Sequence, residues 1–204
     1  MSYTHLLYYL GLWCLMAVAA PLNAQQTALA TKGIKQLPNS TEAFKTLRDQ
    51  VATTPQGGAQ MFLIALKVYV ENPELGEQLL VMAVDMERLS SGNTYQGYAL
   101  GTSDGSLLRR QLEQHPHLPN SYFKGSSPQN GYQVKTPLDI ECSSNPYSGD
   151  MAQGNFKVFV RSSGADSPRP LQMKRNDKGI WKVAEWSSVL VGIRQPERKV
   201  VDDL

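Results

Sequence analysis

Apolar positions change their spacing along this chain. Between Asn39 and Pro116 they recur every three to four residues, the period of a helix with one buried face. Between Pro137 and Ile193 they alternate with polar positions, the period of a strand. The first half predicts about four helices. Asn39 caps the first, Glu42 completes a capping-box pair, and Phe44, Leu47 and Val51 form its stripe before Pro55. Gln56-Gly57-Gly58 reads as a break. A second helix, from about Ala59 to Glu71, is apolar nearly all round and calls for burial between other elements. The third opens with Asn72 as cap and Pro73 in the first turn, where no backbone donor is needed. Joined so closely, the second and third helices predict an antiparallel hairpin. Ser90–Gly101 reads as a loop rich in Gly, Ser and Tyr. A fourth helix begins at Ser103 or Asp104, turns Leu107, Leu108 and Leu112 inward, and stops at Pro116.

The second half predicts a sheet. Leu138, Ile140 and Cys142 share one face of a strand over Pro137–Cys142. Phe156, Val158 and Val160 share a face of the next, and Phe159 makes the opposite face partly apolar. Leu171–Arg175 and Ile180–Trp186 flank Asn176-Asp-Lys-Gly179, a hairpin signal in which Gly179 supplies the positive φ. Val189–Ile193 predicts one more strand. Together these elements give an α+β fold, an N-terminal helical half packed on one face of a C-terminal antiparallel β-sheet.

The start of the chain follows neither pattern. Residues 1–24 contain no Lys, Arg, Asp or Glu, and Leu6–Ala20 is an unbroken apolar, aromatic and Gly run. That run falls short of the roughly 20 residues a bilayer-spanning helix needs. It fits a signal peptide cut near Ala24, giving an exported chain, periplasmic or secreted. An uncleaved membrane anchor is the alternative, because no Lys or Arg precedes the core, only His5 and the amino terminus. The resulting division is a signal peptide over 1–24, a linker over 25–38, one α+β domain over 39–196 and a flexible tail over 197–204. Twenty basic residues against eighteen acidic give a charge of +2, too balanced to argue for nucleic acid or an anionic membrane as partner.

Candidate chemistry is sparse. Without the leader, Cys142 is the one cysteine, so no internal disulfide forms, and its place on an alternating strand predicts a buried, inert thiol. His115 and His117 lack the third and fourth ligands a metal site needs, so neither a metal nor a cofactor is expected. Serines cluster near Asp166, but a triad also needs a placed histidine. Arg161, Asp166 and Arg169 are the candidate polar binding cluster. The plainer alternative has Asp166 cap its turn and Arg169 anchor it by a salt bridge. Tyr122, Phe123 and Tyr132 either line a ligand groove or cover the sheet, and Trp186 is the further aromatic candidate.

Several stretches carry distinctive wording in a fixed order. They are Leu118-Pro-Asn-Ser-Tyr-Phe-Lys-Gly125, Pro128-Gln-Asn-Gly-Tyr132, Asn145-Pro-Tyr-Ser148, Val158–Pro170 and Trp186–Arg194. In these the chain resembles a bacterial family of uncharacterised proteins, domain of unknown function family 6935, over about Asn39 to Pro196. The resemblance implies a fold unit and no activity; the leader marks an exported member. Two functional readings follow. One is a non-enzymatic domain that binds an unknown protein or small-molecule partner in the bacterial envelope. The other is a small-molecule pocket protein or weak hydrolase resembling nuclear-transport-factor-like cone folds, with its cavity beneath Trp181 or Trp186.

Overall fold

The computed structural model describes residues 26–197; the expected signal peptide and all but the first residue of the expected tail lie outside them. In chain order the elements are β1 (Thr27–Leu29), α1 (Thr41–Val51), α2 (Pro55–Glu71), α3 (Pro73–Ala83), β2 (Leu89–Tyr95), β3 (Tyr98–Leu100), α4 (Thr102–Gln114), β4 (Cys142–Ser144), β5 (Gly149–Asp150), β6 (Asn155–Val160), β7 (Arg169–Arg175) and β8 (Trp181–Glu185). The α+β expectation holds: helices fill the first half and an antiparallel sheet the second.

The helix starts follow from capping chemistry. Ser40, one residue after the expected cap, accepts from the Ala43 N–H at 3.1 Å. Asn72 caps α3 as expected, accepting from Leu75 N–H at 3.2 Å. α2 begins earlier than its apolar run. Thr54 accepts from Gly57 N–H at 3.2 Å and Pro55 occupies the first turn, so Gly57 and Gly58 lie inside the helix and do not break it. Their small size is what lets α2 lie close to its neighbours. A Cβ on Gly57 would stand 1.8 Å from the Val51 carbonyl oxygen, and one on Gly58 2.5 Å from that of Trp181.

The main sheet runs β1-β4-β6-β7-β8, with β5 also paired to β6, and all its ladders are antiparallel. Phe156, Val158, Val160, Leu171, Met173, Trp181 and Val183 are buried on one face, against α2. Because sheet residues bury one side of α2 and α1 and α3 another, its nearly all-round apolar surface is satisfied. Trp181 N–H donates to the Ala52 carbonyl at 2.8 Å, tying β8 to the α1–α2 junction. The opposite sheet face, with Lys157, Phe159, Gln172 and Lys182, is half-exposed.

Four further expectations are corrected. The segment read as a linker carries β1, paired to β4, and the buried Ile34, which exchanges main-chain hydrogen bonds with Leu138 at 2.9 and 2.7 Å. Its composition is polar because an edge strand needs main-chain partners more than apolar side chains. Ser90–Gly101 is mostly the β2–β3 hairpin, turned by Gln96 and Gly97 at φ 49° and 86°. Leu138–Cys142 pairs through isolated bridges until β4 begins at Cys142. Val189–Ile193 is not a strand: Ser187–Leu190 is a 3-10 turn. Its cause is Glu185, whose carboxylate accepts from Trp186 N–H at 3.1 Å, Ser187 N–H at 2.9 Å and Ser187 Oγ at 2.7 Å, folding the chain back. The Asn176–Gly179 turn forms as expected, with Gly179 at φ 78°.

Candidate functional site

The segment Leu138–Ser144 changes partners partway along. Lys124 N–H donates to the Asp139 carbonyl at 2.8 Å, and Phe123 bridges Ile140. Two residues further on, Arg161 N–H donates to the Glu141 carbonyl at 2.9 Å, and Cys142 pairs with Val160 of β6. The 123–124 loop and β6 thus occupy the same edge in succession and diverge between Lys124 and Arg161. The gap is a cleft of about 270 Å³ walled by Lys124, Gly125, Ser126, Glu141, Arg161 and Ser163. A second depression, about 670 Å³, shares Lys124, Glu141 and Arg161 and continues past Ala28, Ala30 and Ser143 to Pro168.

The floor is a hydroxyl network. Ser162 Oγ donates to Ser121 Oγ at 2.8 Å, and Ser121 Oγ to the Leu118 carbonyl at 2.8 Å. Ser126 Oγ donates to the Phe123 carbonyl at 2.8 Å, Ser163 Oγ to the Ser121 carbonyl at 3.1 Å, and the Ser126 and Ser163 hydroxyls lie 3.1 Å apart. These serines stitch the loop to the end of β6, so the walls hold a fixed separation. Charged groups stand at the rim. Lys124 Nζ pairs with Asp139 Oδ2 at 2.6 Å. Burial pushes the Asp139 carboxyl up, but hydrogen bonds from Lys124 and Thr31 outweigh it and hold the carboxyl below its ordinary value. Arg161 Nε approaches Glu141 Oε2 only to 3.5 Å, and the Arg161 side chain is 71% exposed.

The structure brings two of the five expected site residues together. Arg161 is on the wall and Tyr122 beneath it, with the Tyr122 hydroxyl donating to the Val189 carbonyl at 2.8 Å. Burial raises the Tyr122 pKa, so the group is a neutral structural phenol. Asp166 instead pairs with Arg194, and Arg169 donates from Nη2 to the Gly192 carbonyl at 3.1 Å; both fasten the 192–194 segment. The turn anchor is therefore the Asp166–Arg194 pair, with Arg169 serving the neighbouring main chain. Trp186 is buried against Phe62, with ring centroids 5.7 Å apart and the Arg88 guanidinium 5.3 Å over its ring. Phe123 is buried in the core and lines the cleft, while Tyr132 is buried with its hydroxyl donating to the Arg194 carbonyl at 2.7 Å.

Cys142 behaves as the sequence predicted. Burial, then the neighbouring Asp139 charge, push its thiol up to about 12, which removes the thiolate at neutral pH. His117 stacks on Tyr132 at 5.0 Å, and His115 Nδ1 meets Gln195 Nε2 at 2.9 Å. Among the described residues no group of three metal-ligating side chains comes together. Sequence reasoning missed Lys124, Ser126, Glu141 and Ser163. Lys124-Gly125-Ser126 was part of a recognisable loop, but only the pairing of Phe123 with Ile140 sets it opposite Arg161.

A family model described as Domain of unknown function (DUF6935) matches residues 36–197, and the chain belongs to that family. No curated protein and no solved structure matches the chain.

Proposed function

We propose that this is an exported, non-enzymatic binding domain of the bacterial envelope, and that the cleft between Lys124 and Arg161 is its binding site. The observation that carries the reading is the hydroxyl network. Each serine proton on the floor goes to a neutral hydroxyl or carbonyl oxygen, and among the described residues neither a histidine nor a carboxylate accepts from any of them. A nucleophilic serine needs a base in that place. With their protons committed in this way, these side chains offer a ligand fixed acceptor lone pairs instead. Export rests on the leader, whose apolar core and small residue at Ala24 match a cleaved signal.

The alternative of a pocket beneath Trp181 or Trp186 has less support, since both indoles are buried in a filled helix–sheet interface. Cells expressing the full chain test the preferred reading. Intact mass and fractionation should show loss of residues 1–24 and an extracytoplasmic product. A photo-crosslinking residue at the exposed Ala30, in the depression that adjoins the cleft, should capture a discrete envelope component, while one at the exposed Glu71 should not. Equal labelling from both positions, or none from position 30, would refute the site.

A further inference from the structure

The geometry points to the ligand class: the cleft holds the free carboxylate of a short extended peptide, with Arg161 as the primary contact and Lys124 as the second. This rests on the binding reading above and adds the chemistry of the ligand.

Four observations support it. First, the guanidinium of Arg161 is held at its base and free at its tip. Its main chain is fixed by the bond to Glu141, yet among the described residues its one ionic contact is through Nε at 3.5 Å, longer than a charged hydrogen bond should be. Both terminal nitrogens make no hydrogen bond among the described residues, which leaves the fork that matches a carboxylate or phosphate. Second, among the described residues Lys124 has one short partner, Asp139, and an ammonium carries three donors, so two remain for a ligand. Third, charge selects between the two anions. Asp139 neutralises Lys124, and Glu141 stands beside Arg161, so the rim is nearly balanced. A balanced rim suits a monoanionic carboxylate; a phosphate dianion would face two carboxylates. Glu141 also offers an acceptor for an N–H donor, which a peptide has and a simple carboxylic acid lacks.

Fourth, the cleft does not end at the charges. The second depression carries on from the same three residues along β1, past the small side chains of Ala28, Ala30 and Ser143. A trench that runs over the β1–β4 pair, with Ala28, Ala30 and Ser143 among its lining residues, accommodates an extended backbone, and carboxylate capture at one end sets its direction. A free amino acid would leave that depression unused.

The test uses the purified, exported protein labelled with ¹⁵N and titrated with trialanine, trialanine amide, alanine and inorganic phosphate. Trialanine should bind saturably and shift amides around Lys124, Ser126, Glu141 and Arg161, and its amide should bind at least tenfold more weakly. Arg161→Gln and Lys124→Gln should each weaken trialanine binding, the first at least tenfold. Arg110→Gln, at an exposed position on α4 away from the cleft, should leave it unchanged. Equal binding of the amide would overturn carboxylate recognition. Phosphate or alanine binding as tightly as trialanine would overturn the peptide assignment. No binding by any probe, together with capture from position 30, would refute the ligand class and leave the site standing; no binding and no capture would refute both.

Discussion

Adding one methyl group at two helical glycines should move stability in opposite directions. In an exposed helix interior, Gly→Ala is worth about 1 kcal/mol in favour of the fold. At Gly58 the new Cβ would lie 2.5 Å from the Trp181 carbonyl oxygen, 2.8 Å from Met173 Cε and 2.9 Å from the Trp181 carbonyl carbon. Apolar contact needs roughly 3.5–4 Å, so α2 and β8 must separate by about 1 Å. Met173 can turn its methyl aside, but the Trp181 backbone is pinned by its bond to Ala52 at 2.8 Å and by its pairing with Arg175. Overpacking of this kind costs about 1–3 kcal/mol, and the upper end applies because main chain must move. The net expectation for Gly58→Ala is a loss of about 2 kcal/mol. At Gly105 in α4 the nearest contact is Arg109 Nη2 at 3.2 Å, the far end of a side chain that can swing away. Gly105→Ala should therefore gain about 0.5 kcal/mol. Urea unfolding followed by tryptophan fluorescence reads both, since Trp181 and Trp186 are buried. At an m-value of about 2 kcal/mol/M, the midpoint should fall by about 1 M for Gly58→Ala and rise by about 0.3 M for Gly105→Ala. A Gly58→Ala protein as stable as the parent would show that α2 does not rest on β8 at this distance, and the reasoning would fail.

Two further outcomes follow from titratable groups, the half-buried His117 and the buried Cys142. Burial, helped by the nearby His115, lowers the His117 pKa from its ordinary 6.5, while the Arg194 carbonyl pulls the other way. The fold thus prefers neutral imidazole: its contribution is present above pH 6.5 and is lost as pH falls through the lowered folded value. The urea midpoint should drop between pH 7 and pH 5, and His117→Phe, which keeps the stacking on Tyr132, should flatten that drop; an unchanged slope would refute the assignment. Asp139 and Glu185, both lowered, act in a separate window near and below pH 4. The Cys142 thiol, pushed up to about 12, should resist iodoacetamide at pH 8 in folded Cys14→Ser protein and react promptly in urea. Rapid alkylation of the folded form would mean that β1 leaves β4 readily.

Local chemistry alone determined the class of the fold and most of its elements. Helical spacing placed α2 and α3, Asn72 and Pro73 fixed the start of α3, and Asn176–Gly179 fixed a hairpin, because caps, periods and turn residues act within a few positions of themselves. The all-round apolar α2 also announced its own burial between layers. Tertiary structure decided what depends on partners distant in sequence. Gly57 and Gly58 look like a break until Val51 and Trp181 are seen pressed against them. β1 looks like a linker until its main chain finds β4. The cleft belongs to this second kind. Arg161 was legible as a candidate, but Lys124 and Glu141 become its neighbours only because the Leu138–Ser144 segment exchanges one edge partner for another. Asp166, Arg169 and Trp186 looked equally promising as residues, and the same packing turned them to Arg194, Gly192 and Phe62. Residue type sets what a side chain can do; the register of a sheet sets what it meets.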